Sequence, residues 1–333
     1  MTVPCSKNFC AGAYSDWLEI NLLSECNARC EWCIDRDGYH PTIRAPWIKI
    51  ATAAINHGAK NIILLGGEPT LYKNLPEMIK FLSSAGHNVW ITTNGQRLSS
   101  RFVKNNLSDI FGVNISIHHY DLTKNMQITG LDIDLEKNLK DAVKLLISNG
   151  VELRFNCNCI KGYIDTEQEM LKYINFAKNM GVKNVRFAEL KNSACNFVDI
   201  AKIINYKFGT SDNPFENGCT SNTVIDGVNV NYRQMCGLQT SCRNAPVNPK
   251  QSQKKYVLYY DGIIYNGWQQ TQKTLIGVEI MMDDTEILEL MKSVANGDIS
   301  PSKAALKIIK GQRERKIKIV DEPIPSLSGG CHY

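Results

Sequence analysis

Three cysteines, Cys26, Cys30 and Cys33, fall within eight residues at the spacing CxxxCxxC. A loop of this length can wrap a compact metal centre with each sulfur turned inward. Three thiolates are one short of the four that close a typical iron–sulfur cluster. An open coordination position is what a catalytic metal site keeps and a structural one avoids. Two plainer readings stand beside this one. The cysteines could be reduced thiols that merely lie close together. They could also be part of a structural zinc site, but such sites pair one CxxC with a second CxxC or HxxxH, and nothing nearby supplies the pair.

A second stretch with chemical content is Gly66-Gly67-Glu68-Pro69. Two glycines let the backbone approach a ligand closely, and Glu68 could accept a hydrogen bond from an ammonium group. Taken alone, the same four residues also describe a tight turn. Their position gives them weight, because they lie one helix and one strand after the cysteine loop.

The elements that must hold these loops follow from periodicity. Trp17–Leu23 alternates like a strand and leads into the cysteines. Pro46 opens a helix, and the continuously apolar Asn61–Leu65 suits a parallel strand buried on both faces. Helix then strand continues through Leu75–Gly86, Val89–Gly95, a short helix at Leu98–Asn105, and a strand at Gly112–His119. A helix to Gly150, a strand at Val151–Ile160, a helix at Thr166–Gly181 and a strand at Asn184–Leu190 complete the series. Six strand-and-helix units over about residues 15–200 form either a barrel or an open sheet. They are too few for a full eight-unit barrel, which takes about 250 residues. All the loops of chemical interest fall at the C-terminal ends of strands, where such folds place their sites.

The 333 residues allow one large domain and a smaller one. A hydrophobic fraction of 43% is that of an ordinary globular protein. No run is apolar enough to span a membrane, and the first residues lack the apolar core of a signal peptide, so a cytoplasmic location is expected. Twelve cysteines in a reducing compartment read as metal ligands or buried thiols rather than disulfides. A formal charge of +5 is compatible with an anionic substrate and does not call for nucleic acid.

CxxxCxxC with an aromatic residue, Trp32, just before the last cysteine resembles the radical S-adenosylmethionine (SAM) superfamily, and GGEP at the next strand end strengthens the likeness. The resemblance implies an α/β fold, a partial (β/α)6 TIM-type barrel. It implies that Cys26, Cys30 and Cys33 hold a [4Fe–4S] cluster whose fourth iron binds the amino and carboxylate groups of SAM. Gly66, Gly67 and Glu68 would orient the methionine end, with Glu68 at the amino group. Trp32 would pack near the cluster or the adenine. Thr93, Ser116 (with His118 beside it), Ile160 and Gly162 would face the ribose and adenine. The implied chemistry is reductive cleavage of SAM and hydrogen abstraction from an unreactive C–H bond. The implied partners are a small-molecule substrate and a reductant such as flavodoxin or ferredoxin.

The last third has a different pattern. Asp-Gly hairpin signals appear at Thr223–Val230 and Tyr256–Tyr265, with Cys219, Cys236 and Cys242 around and between them, and helices follow near Glu286–Ala295 and Ser302–Lys310. The expected division is an N-terminal arm at 1–16, a core barrel at 17–212, and a β-hairpin and helix extension at 213–333. The extension resembles the auxiliary-cluster (SPASM/twitch-like) domains of this superfamily, which makes Cys219, Cys236 and Cys242 candidate ligands of a second iron–sulfur cluster.

The overall likeness is to the GTP 3′,8-cyclases of molybdenum-cofactor synthesis, through length, the Val185–Glu189 strand, the hairpin and Gly329-Gly330. Two departures separate this chain from them. Cys236 and Cys242 stand six apart rather than three, and Tyr265-Asn266-Gly267-Trp268, directly after the second hairpin, holds no cysteine. The expected function is therefore radical SAM chemistry on a small molecule such as a nucleotide or nucleoside, leading to cyclisation or rearrangement. Two alternatives are a maturase acting on a ribosomally made peptide, for which the short arm leaves little room for a leader-binding domain, and a non-catalytic iron–sulfur carrier or sensor.

Overall fold

The computed structural model describes residues 16–36, 40–131, 138–190, 195–205, 220–234, 256–266, 275–276 and parts of 289–307. Its frame is one 11-stranded sheet. Six parallel strands form the centre: β1 (Trp17–Asn21), β2 (Asn61–Leu65), β3 (Asn88–Thr93), β4 (Gly112–Ser116), β5 (Glu152–Asn158) and β6 (Asn184–Ala188). They lie side by side in chain order. Between them run α1 (Trp47–His57), α2 (Leu75–Ser84), α3 (Ser100–Asn106), α4 (Leu122–Thr129), α5 (Lys140–Ser148) and α6 (Glu167–Asn179), and α7 (Ile200–Asn205) follows β6. Crossovers between parallel neighbours are right-handed. When the order never reverses, every crossover falls on the same face, and the sheet curls into part of a barrel. The expected partial (β/α)6 barrel is thus the fold.

The strands alternate accordingly. Leu153, Phe155 and Cys157 of β5, and Val185 and Phe187 of β6, are fully buried or nearly so, while the residues between them are half-buried. The buried set faces the helices: Phe155 stacks on Phe176 of α6, and Phe187 meets Tyr173 of the same helix edge-on. The half-buried set lines the concave face. At the N-terminal end of that face Trp90 meets Trp17 at 5.7 Å and Phe111 at 5.5 Å between ring centroids. Gly112 makes room for them, since a Cβ there would lie 2.3 Å from the Trp90 ring. This aromatic plug leaves the opposite, C-terminal end for chemistry.

Both hairpins of the last third join the sheet. The first, β7 (Thr220–Ile225) and β8 (Val228–Arg233), turns at Asp226-Gly227, both with positive φ, as a two-residue hairpin needs. Its β8 pairs in parallel with β6. The second, β9 (Tyr256–Tyr259) and β10 (Ile264–Asn266), pairs through β9 in parallel with β1, and β11 (Leu275–Ile276) borders β10. The hairpins therefore extend the two opposite edges of the barrel sheet. Among the described residues, α4 and α7 lie where no helix was named in the sequence, the helix expected to reach Gly150 is α5 alone, and most of the helices expected near Glu286–Ala295 and Ser302–Lys310 lie outside the described residues. No helix among the described residues is long and apolar enough to cross a membrane.

His57, in the last turn of α1, packs edge-on to Tyr256 of β9. Burial, with a smaller push from His87, lowers its pKa from 6.5 to about 4. Between those values the unfolded chain takes up a proton that the native chain refuses. Stability is therefore highest above pH 6.5 and falls as the pH drops towards 4, by about 3 kcal/mol for this group. Urea unfolding at pH 7 and pH 4.5 should show a smaller loss of stability for His57→Phe than for the wild type. An equal loss would assign the acid sensitivity to other groups.

Candidate active site

The cysteine loop leaves the end of β1 and is held from three sides at the C-terminal rim. The first anchor is the glycine loop after β2. Gly67 N donates to Leu23 O at 2.7 Å and Glu68 N to Glu25 O at 2.9 Å. A Cβ on Gly66 would stand 2.6 Å from Leu23 O, and one on Gly67 only 2.1 Å from Glu25 O. Both glycines are thus needed for the approach of two backbones, and Gly66, at φ 131°, also adopts a conformation that side chains disfavour.

The second anchor is the tip of β3, where Asn94 Nδ2 donates to Asn27 Oδ1 at 2.7 Å and Asn27 Nδ2 donates to Gln96 Oε1. The third is α4, whose Thr129 O accepts from Arg29 N at 2.7 Å. Asp121 caps that helix by accepting from Thr123 N and Lys124 N, and Gly130 closes it in a left-handed conformation.

Glu68 is the hub of the arrangement. It is 1% exposed. Oε1 accepts from Thr70 N, Thr70 Oγ1 and Thr93 Oγ1 at 3.0, 2.6 and 2.6 Å, and Oε2 accepts from Asn94 N at 2.8 Å. A carboxylate has about four acceptor positions, so the carboxylate is occupied in joining the ends of β2 and β3. Thr93 is drawn into the same network, since its hydroxyl also accepts from Gly95 N at 3.1 Å. Glu68→Ala should cost about 3 kcal/mol or more, because it strands several buried donors at about 1–3 kcal/mol each. Glu68→Gln, which keeps one acceptor oxygen, should cost less. Urea unfolding of the two variants checks the order, and equal costs would deny the network its role.

Cys26, Cys30 and Cys33 are free thiols. Burial, then the neighbouring Cys33 and Cys26, pushes Cys30 up to about 12. Ala28 N donates to Cys26 Sγ at 3.3 Å, and Cys33 N to Cys30 O at 3.2 Å. Three neighbouring sulfurs need a cation in place of their protons to become thiolates together. Among the described residues, no three His, Cys, Asp or Glu side chains converge on a single metal ion. A cluster of four irons accepts each thiolate on a different iron, so its ligands stand further apart than those of one ion. Three thiolate donors suit the cluster.

Beside the cysteines lies a small apolar group, Trp32, Ile128, Ile160 and Leu190, with Cys30 and Tyr163 against it. Trp32 and Ile160 are thus brought together across the rim. Trp32 also meets the His118 ring edge-on at 5.7 Å. His118 Nδ1 accepts from Asn158 N at 3.1 Å, and burial lowers its pKa to about 4, so the ring is neutral with its proton on Nε2. Ser116 ends β4 on the concave face opposite Asn156. Gly162 turns the loop after β5 with φ 83°, and its N–H donates to Asp165 at 2.7 Å.

Cys157 and Cys159 are fully buried, and Cys157 Sγ donates to His118 O at 3.6 Å, which suits core packing. Cys219, Cys236 and Cys242 lie outside the described residues, as do Cys5, Cys10 and the Gly329-Gly330 tail. Sequence reasoning passed over Asn21, Asn27, Asn94 and α4. Asn21 is fully buried and donates to Asp35 Oδ1 at 2.7 Å beneath the loop. The capping pair Asp121 and Gly130 was the available signal for α4.

Residues 20–177, just under half of the chain, match the family model described as the Radical SAM superfamily. Among curated proteins, the chain is 30% identical over 181 residues to a probable GTP 3′,8-cyclase of Saccharolobus islandicus (strain M.14.25 / Kamchatka #1), which covers 52% of this chain and 56% of the relative. It is 28% identical over 186 residues to the GTP 3′,8-cyclase of Aliarcobacter butzleri (strain RM4018), covering 54% and 56%. The chain thus spans little more than half the length of these relatives. Among solved structures, Streptococcus suis SuiB bound to S-adenosylmethionine superimposes with a TM-score of 0.56 at 17% identity, over 83% of this chain and 65% of that one. That likeness concerns the fold.

Proposed function

We propose that this protein is a radical SAM enzyme acting on a small molecule, a nucleotide or nucleoside, by hydrogen abstraction that leads to cyclisation or rearrangement. The observation that carries the reading is the joining of the CxxxCxxC loop to the Gly66-Gly67-Glu68 loop at one rim, within a stretch that matches the superfamily. When bound, a reduced cluster and SAM supply a 5′-deoxyadenosyl radical able to take hydrogen from an unreactive carbon.

The chain's own residues do the positioning. Cys26, Cys30 and Cys33 hold the cluster. Gly66 and Gly67 set the backbone against the cysteine loop, and Glu68 fixes the two strand ends around it. Trp32 and Ile160 offer an apolar face suited to the adenine, and Ser116 and Gly162 stand at the strand ends beside it. The concave face below keeps water from a reactive intermediate. A flavodoxin or ferredoxin supplies the electron. A second cluster at Cys219, Cys236 and Cys242 belongs to this proposal as an accessory centre.

The small-molecule reading draws on the two cyclase relatives. A peptide substrate is the second reading, favoured by the overall superposition on SuiB, one crystal structure of which is bound to precursor peptide SuiA. Incubating the reduced protein with SAM and either pooled nucleotides and nucleosides or pooled peptides separates the two. The first pool should accelerate 5′-deoxyadenosine formation. Acceleration by peptides alone would overturn the small-molecule assignment.

A further inference from the structure

The concave face beneath the rim carries an unusual charge pattern. On β5, β6 and β8 the residues turned away from the helices include Arg154, Asn156, Arg186, Asn231 and Arg233. The register sets Asn156 opposite Arg186, Arg186 opposite Asn231, and Ala188 opposite Arg233, so the three arginines run diagonally across adjacent strands. Arg154 Nε donates to Asn156 Oδ1 at 3.0 Å, and Arg186 Nε to Asn231 Oδ1 at 2.7 Å. These neutral amides fix two guanidiniums by one edge, and among the described residues their Nη groups make no hydrogen bond. Among the described residues, no carboxylate stands at ion-pair distance from any of the three.

The arginines feel one another. Burial first, then Arg233, lowers Arg154 to about 10, and burial followed by Arg154 and Arg233 lowers Arg186 well below its usual range. Among the described residues, Glu19 of β1 is the carboxylate whose field reaches Arg186. Partly buried like charges are costly unless an opposite charge joins them. Arginine forks suit phosphate and carboxylate oxygens because they bind them in pairs. SAM carries one carboxylate against an ammonium and a sulfonium, so it brings a net positive charge and leaves the arginine charges uncompensated overall.

We propose that Arg154, Arg186 and Arg233 form an oxyanion subsite inside the barrel that takes a phosphate or carboxylate group of the substrate and sets the substrate's depth below the cysteine loop. The substrate part of this inference rests on the proposed function, whereas the anion site itself does not.

The test uses the full-length, cluster-loaded protein at low salt, titrated calorimetrically with inorganic pyrophosphate and, separately, with tricarballylate, each with and without SAM. Saturable binding of at least one anion, unaffected by SAM, is expected. Arg186→Gln and Arg233→Gln should each weaken it at least tenfold. Arg233 makes no side-chain hydrogen bond among the described residues, so Arg233→Gln should fold as the wild type does, with an unliganded melting temperature equal or higher because a like charge is gone. Pyrophosphate bound but tricarballylate rejected would identify a phosphate, and the reverse a carboxylate. Competition between SAM and both anions would assign the arginines to SAM's own carboxylate and overturn the proposal, as would binding unchanged in both variants or no binding of either anion. Anion binding in a protein that never cleaves SAM would leave this site standing and overturn the proposed function.

Discussion

Replacing Cys26, Cys30 and Cys33 together by alanine should remove iron and sulfide from the loop and abolish SAM cleavage, while the barrel stays folded. The loss should be complete because the proposed cluster takes its thiolates from these three cysteines. The fold should survive because the loop is held through its backbone and through Asn27, not through sulfur: Gly67 N to Leu23 O, Glu68 N to Glu25 O and Arg29 N to Thr129 O all remain. None of the three cysteines belongs to the fully buried core, whose nearest members are Leu18, Ile20, Leu22 and Leu23. Iron analysis and visible absorbance after anaerobic reconstitution give the answer, with circular dichroism as the folding control. Iron retained at part of the wild-type level would indicate a second centre elsewhere in the chain, for which Cys219, Cys236 and Cys242 are the proposed ligands. Iron retained at the full level would contradict the assignment of the loop.

The second large effect belongs to Gly67. A methyl group there would overlap Glu25 O, 2.1 Å away, and Glu25 and Ser24 carbonyl carbons at 2.5 and 2.8 Å. Backbone cannot rotate aside as a side chain can, so the glycine loop and the cysteine loop must part. Overpacking of this kind costs about 1–3 kcal/mol, and the Glu68 N to Glu25 O bond is lost with it. Gly67→Ala should therefore lower stability by about 3 kcal/mol and impair cluster reconstitution, although no cysteine is altered. By contrast, Gly150→Ala should cost only the strain of a positive φ, because nothing lies within 4 Å of its Cβ. Urea unfolding and iron content measured on both variants test the comparison. Gly67→Ala with normal iron and stability would show that the two loops are independent.

The parallel strands were legible because burial on both sides makes them continuous apolar or evenly alternating runs. Asn61–Leu65 and Val185–Phe187 are cases in point. The strand ends were less so. The strand expected to run to His119 stops at Ser116, since His118 N donates to the Asn125 side chain and leaves the ladder. Asn125 sits on α4, a helix whose eight residues include two threonines and an asparagine and carry only a weak apolar stripe.

The Asp-Gly turns announced both hairpins, but pairing of β8 with β6 and of β9 with β1 depends on contacts far apart in the chain that no local pattern encodes. The site divides the same way. Its cysteines and glycines carry a spacing that can be read, whereas Asn27, Asn94 and the three arginines become meaningful only when the sheet sets them side by side. Glu68 was legible as a member of the site, and the four hydrogen bonds it accepts from Thr70, Thr93 and Asn94 were not.

The central claim is that the cysteine loop and the glycine loop together hold a cluster that cleaves SAM. It is tested most directly by reducing the reconstituted protein anaerobically in the presence of SAM and measuring 5′-deoxyadenosine and methionine by mass spectrometry. Both products should form in equal amounts in the wild type and be absent from the triple cysteine variant. An intact, reduced cluster that leaves SAM uncleaved would contradict the account.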